Sequence, residues 1–194
     1  EIAEQNYSHA EQLIQELDYS FLFFSLRVGR ANLALSQGDF LVTENLINEI
    51  AEIKVVKQAH YNDRILNLLR GKFYLLTGKV SESIEQLEQA EAAFLEDGLM
   101  LETISARVWL SAAYIAGKRP ENAIGKIQEV LDKPQHVTWL AAHQVKGWLE
   151  SLRNNPNVGR GVRDILLRGE KLFARIPAVR REIRRQARVV EVPI

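Results

Sequence analysis

Three short breaks recur along this chain, at Ser36-Gln37-Gly38-Asp39-Phe40, Leu76-Thr77-Gly78-Lys79-Val80 and Ile115-Ala116-Gly117-Lys118-Arg119. Their glycines, Gly38, Gly78 and Gly117, are almost evenly spaced (78 − 38 = 40 and 117 − 78 = 39). Each break ends one apolar-periodic stretch and starts another, so each predicts the elbow of a helical hairpin. Glycine suits that place because it takes the left-handed cap at no steric cost. A fixed period of about 40 residues marks a repeat protein. Stacked repeats touch only their neighbours and build extended binding surfaces rather than reaction centres.

Apolar residues three and four apart predict helices between the breaks, and no stretch sustains the period-2 alternation of a strand. The expected helices cover 2–17, 21–37, 40–53, 62–77, 81–95, 99–116, 120–131, 137–152, 161–176 and 177–189. Ser81 reads as a hydroxyl cap with Glu82 beside it. Pro120 stands where a first-turn proline is tolerated. In the fourth elbow, Arg153-Asn154-Asn155-Pro156, Asn154 takes the place of glycine, being the next-best residue for positive φ. The expected domain is 1–189, with hairpins at about 21–55, 62–96, 99–132 and 137–176, flanking helices 2–17 and 177–189, and a linker at 190–194.

Composition removes several function classes. Lys+Arg and Asp+Glu both number 25, so no global field draws the chain to nucleic acid or membrane. With no cysteine there is neither a disulfide framework nor a cysteine-built zinc site. No apolar run reaches the ~18 residues of a spanning helix. The start, Glu1-Ile2-Ala3-Glu4, is neither a signal peptide nor an initiator methionine, and predicts a cytoplasmic piece of a longer protein.

Aligned on their elbows, the units share more than spacing. Seven residues before each stand Ala31, Gly71, Leu110 and Gly147, small where two helices cross, with Leu110 the bulky exception. Five or six residues after stand Thr43, Ser83 and Ala123, and four later Ile47, Leu87 and Ile127. This pattern resembles the tetratricopeptide (TPR) repeat, closest in Gly71, Tyr74 and Gly78. The helix-ending proline of that family has a counterpart only near Pro134. The long, degenerate units are also similar to the sensor region of MalT-like regulators, signal-transduction ATPases that carry a helical-repeat module. The resemblance implies an all-α fold, a right-handed superhelix of antiparallel helical hairpins (a TPR-like α-solenoid).

It also implies a ligand groove lined by the non-core positions of the first arms. Carried over residue by residue, these are Val28, Asn32 and Leu35, then Leu68, Lys72 and Leu75, then Arg107, Ser111 and Tyr114, then Gln144, Trp148 and Ser151. Asn32, Lys72, Arg107, Ser111, Tyr114, Gln144 and Trp148 are the candidate contacts for a peptide or small polar ligand: cations for carboxylates, aromatic faces for stacking. Arg30 and Arg70 occupy equivalent places, read as edge caps paired with neighbouring glutamates rather than as a shared anion site.

From Arg153 to Arg188 there are eleven Lys+Arg against three Asp+Glu, net +8. Arg180, Arg181, Arg184, Arg185 and Arg188 form a basic contact face, read as meeting a partner or neighbouring domain in preference to nucleic acid. Catalytic patterns are weak. His9, His60, His136 and His143 are scattered, Glu85, Glu88 and Glu91 read as an exposed acidic face, and no phosphate-loop motif occurs. No metal or cofactor is expected. The sequence therefore predicts a non-catalytic interaction or ligand-sensing module, with a plain scaffold, or a nucleic-acid-binding helical protein, as the alternatives.

Overall fold

Period-3.6 apolar patterning folds this chain into helices, and among the described residues of the computed structural model there is no strand. The structure describes residues 2–17, 20–53, 59–153, 155, 162, 164, 165 and 167. The helices are α1 (Ile2–Leu17), α2 (Ser20–Gln37), α3 (Phe40–Glu52), α4 (Ala59–Leu76), α5 (Val80–Glu96), α6 (Met100–Ala116), α7 (Pro120–Leu131) and α8 (Trp139–Leu152), with a 3-10 turn at Pro134–His136. Residues 177–194, most of 156–176 and Asn154 lie outside this set, so the fourth elbow, the last helix, the linker and the basic face are not described.

The chain forms two compact units, residues 1–97 and 98–194. In the first, α2 pairs with α3 and α4 with α5, α4 also packs on α2 and α3, and α1 lies on α2. The core around the α2–α3 hairpin and α4 holds Phe24, Ala31, Leu35, Leu46, Ile47, Ile50, Leu66, Leu69 and Phe73. In the second unit α6 pairs with α7, and α8 packs on both. Ile104, Val108, Leu110, Ile127, Val130, Val145 and Leu149 are at most 2% exposed there.

The elbows close with one set of bonds, repeated three times. The amide of Asp39 donates to the carbonyl of Ala34 (3.0 Å), Lys79 to Tyr74 (2.8 Å) and Arg119 to Tyr114 (2.8 Å). Each is the long bond of a Schellman cap, which requires a left-handed residue just before the donor. Those residues are Gly38 (φ +75°), Gly78 (φ +81°) and Lys118 (φ +57°), so the two steps are equal (78 − 38 = 40 and 118 − 78 = 40). The expectation for Gly117 is corrected by one position. Gly117 has φ −77° and donates to Ala113 (2.8 Å), as Thr77 donates to Phe73 (3.0 Å). The closing bonds, rather than the glycine, decide which residue turns.

That shift removes the exception at the crossing. Seven residues before the left-handed positions stand Ala31, Gly71 and Ser111, and five after stand Thr43, Ser83 and Ala123. All six are buried. Leu110 is a neighbouring core residue. Ser83 Oγ donates to the Gly71 carbonyl at 2.8 Å. A Cβ on Gly71 would lie 2.5 Å from Leu87 Cγ, so the helices cross too closely there for any side chain. Gly147, by contrast, is exposed and is no crossing residue.

A second repeated device follows from the corrected register. Arg27 on α2 meets Glu49 on α3 at 3.2 Å, and Arg107 on α6 meets Glu129 on α7 at 3.0 Å. The offset between the two pairs is the same at both ends (107 − 27 = 80 and 129 − 49 = 80), which is two repeats. The middle hairpin has amides, Asn67 and Gln89, at these positions. α1 is fastened by Glu11, which pairs with Arg27 at 2.7 Å and Arg30 at 3.0 Å, and by Tyr7 packed over Gly29. At the helix starts, Asp39 caps α3 and Thr138 caps α8. The expected cap at Ser81 is instead a first-turn residue, because α5 begins at Val80.

Candidate functional site

Asn32 on α2 and Lys72 on α4 occupy the same position in successive repeats, and the structure brings them together. Lys72 Nζ donates to Asn32 Oδ1 at 3.2 Å, while Asn32 Nδ2 donates to the Val28 carbonyl at 2.9 Å. The second bond fixes the amide so that its oxygen faces the lysine. Both residues are half-buried. Withdrawal of the ammonium from solvent pulls the Lys72 pKa from 10.5 down to about 8. A cation held at a desolvated place gains more from an arriving anion than a surface lysine does, because its own hydration is already lost. Leu35 and Leu68, expected beside them, belong to the core.

The third first arm departs from expectation. Arg107, Ser111 and Tyr114 are 9%, 0% and 5% exposed, and so are not groove contacts. The left-handed residue of this elbow is Lys118 rather than Gly117, which shifts every first-arm position by one. In the corrected register Ser111 is the small crossing residue, its Oγ turned back to the Arg107 carbonyl at 2.8 Å. Arg107 is held by Glu129, and Tyr114 matches Tyr74. The positions equivalent to Asn32 and Lys72 pass to Ala112, and those of Leu35 and Leu75 to Ile115, both half-buried and apolar. On α8, Gln144 and Trp148 are one turn apart and half-buried.

Of the paired arginines, Arg30 finds Glu11, but Arg70 has no ion pair among the described residues. Arg70 instead lines a cleft of about 240 Å³ with Glu44, Ile47 and Asn48 of α3, Phe73 and Tyr74 of α4, Lys79 of the elbow and Gln86 of α5. No sequence motif marks this cleft, whose walls come from three helices and an elbow. The acidic face is also incomplete, since Glu91 is 7% exposed. Among the described residues no cluster of three or more His, Asp or Glu is placed to hold a metal ion, and no helix is long and apolar enough to cross a membrane. No protein-family model, no curated protein and no solved structure matches the chain.

Proposed function

We propose that this chain is a TPR-like repeat module that binds a protein segment or small polar ligand along its first-arm face, with no chemistry of its own. One observation carries the proposal: the elbow bonds, the small crossing residues and the larger apolar follower recur together, in the same register, in the three described hairpins α2–α3, α4–α5 and α6–α7. Such recurrence supports a right-handed solenoid array, whose equivalent positions form ladders along a surface. Asn32 and Lys72 form one such repeated position, with the Lys72 ammonium already desolvated for an acidic group. The repeat unit, longer than that of the commonest tetratricopeptide repeats, favours the sensor module of a MalT-like regulator as the setting. In that setting the bound ligand biases how the array sits against the rest of the protein.

Panning a random peptide library on the whole chain tests the proposal. Selected peptides are expected to carry acidic residues and to lose roughly tenfold or more in affinity against Lys72→Met, as expected for a lost charged hydrogen bond. Enrichment of no peptide, together with no thermal stabilisation by sugars, nucleotides or amino acids, would overturn it.

A further inference from the structure

The cleft between α3, α4 and α5 is separate from the Asn32–Lys72 contact. Residues 70 and 74 each lie two positions from Lys72 on α4, roughly 200° around the helix, so they face the other side. Two cations, Arg70 and Lys79, stand against one carboxylate, Glu44, leaving the cleft with a single positive charge. Glu44 forms no ion pair with either among the described residues. This contrasts with Arg27, Arg30, Arg64 and Arg107, each of which meets an acid of its own unit: Glu11 or Glu49, Glu11, Asp97 and Glu129. Among the described residues Arg70 is in ion-pair contact with no carboxylate, so its guanidinium is set up for an external one.

The remaining walls fit the same ligand. Asn48 and Gln86 supply amide donors, and Phe73 and Tyr74 form an apolar side with their rings 5.9 Å apart. Lys79 Nζ lies 5.6 Å from the Tyr74 ring centroid, which holds the second cation over that wall. We infer that this cleft binds a carboxylate monoanion, with Arg70 gripping it through two parallel N–H donors and Lys79 closing over it. A dianion such as phosphate is disfavoured by Glu44. The volume admits one acidic amino acid or one acidic side chain of a peptide. This site stands independently of the function proposed above.

Titration of the whole chain with free glutamate, tetraglutamate and tetraglutamine, followed by amide NMR shifts, tests the assignment. Saturable shifts at Asn48, Tyr74 and Lys79 are expected with an acid probe and not with tetraglutamine. Saturation by free glutamate identifies a free acid as the source, and saturation by tetraglutamate alone identifies an acidic segment. Arg70→Gln is expected to weaken binding roughly tenfold, as for a lost charged hydrogen bond. Lys79→Gln, on the exposed elbow, gives a second variant that leaves the core untouched. The inference fails if neither acid moves these amides, or if binding is unchanged in both variants. Shifts confined to Asn32 and Lys72 overturn the cleft while upholding the first-arm face.

Discussion

Replacing Lys118 by glycine is expected to stabilise the protein, although it deletes a charged side chain and adds a flexible residue. Lys118 holds φ +57° and is exposed, so its backbone is strained and its side chain does little packing. The left-handed region disfavours a residue with a Cβ by about 1–2 kcal/mol. Glycine relieves that strain but frees the unfolded chain, giving back about 0.5–1 kcal/mol. The difference runs from about 0 to 1.5 kcal/mol and centres on a gain of about 0.7 kcal/mol, a rise in Tm of roughly 2 °C for a chain of this size. Gly117→Ala is the matched control. Its φ of −77° and ψ of 7° are open to alanine, and the variant is expected to gain about 0.4–1 kcal/mol by stiffening the unfolded chain. Urea unfolding followed by circular dichroism measures both. Destabilisation by Gly117→Ala, with no gain from Lys118→Gly, would refute the corrected register, for it would place the left-handed cap on Gly117.

Other consequences are equally direct. Gly71→Ala drives a methyl group against Leu87, which is fully buried and cannot withdraw, so a loss of about 1–3 kcal/mol is expected on chemical denaturation. Gly78→Val meets no neighbour within 4 Å, and its loss of at least ~1 kcal/mol comes from backbone strain alone. Lys72 disfavours the folded state while it is charged in both states, below about pH 8. Relative to Lys72→Met, stability should therefore rise between pH 8 and 10.5, as the folded state sheds its proton before the unfolded chain does, by at most about 3 kcal/mol. Denaturation midpoints of both proteins at several pH values check the sign. Finally, Asn67→Arg with Gln89→Glu installs in the middle hairpin the ion pair of its two neighbours. A double-mutant cycle should give a coupling of about 0.2–1 kcal/mol, since these outer acids remain partly solvated.

The legible part of this protein is its repetition. Gly38 and Gly78 mark their elbows because few other residues take positive φ without strain, and the crossing residues at 31, 71, 43, 83 and 123 follow by counting. Asn32 and Lys72 were legible for the same reason as one position repeated on successive first arms, whereas their hydrogen bond comes from the packing of α4 on α2. The third unit misled because glycine permits a left-handed turn without requiring it. With Gly117 beside Lys118, composition pointed to the glycine, and Arg107, Ser111 and Tyr114 were placed one position out of register.

No local signal separates Arg30 from Arg70, since neither has an acid three or four residues away on its helix. Only the docking of α1 brings Glu11 to Arg30, and only the approach of α3 and α5 to α4 gathers the cleft around Arg70. Sequence by itself determined the described helices, the period and most of the small crossing residues, because these rest on side-chain size and backbone freedom within one hairpin. Tertiary structure decided which residue turns each elbow, which arginines find acids and where an open cleft is left. Those outcomes depend on hydrogen-bond closure and on charges carried by other helices, which no single hairpin encodes.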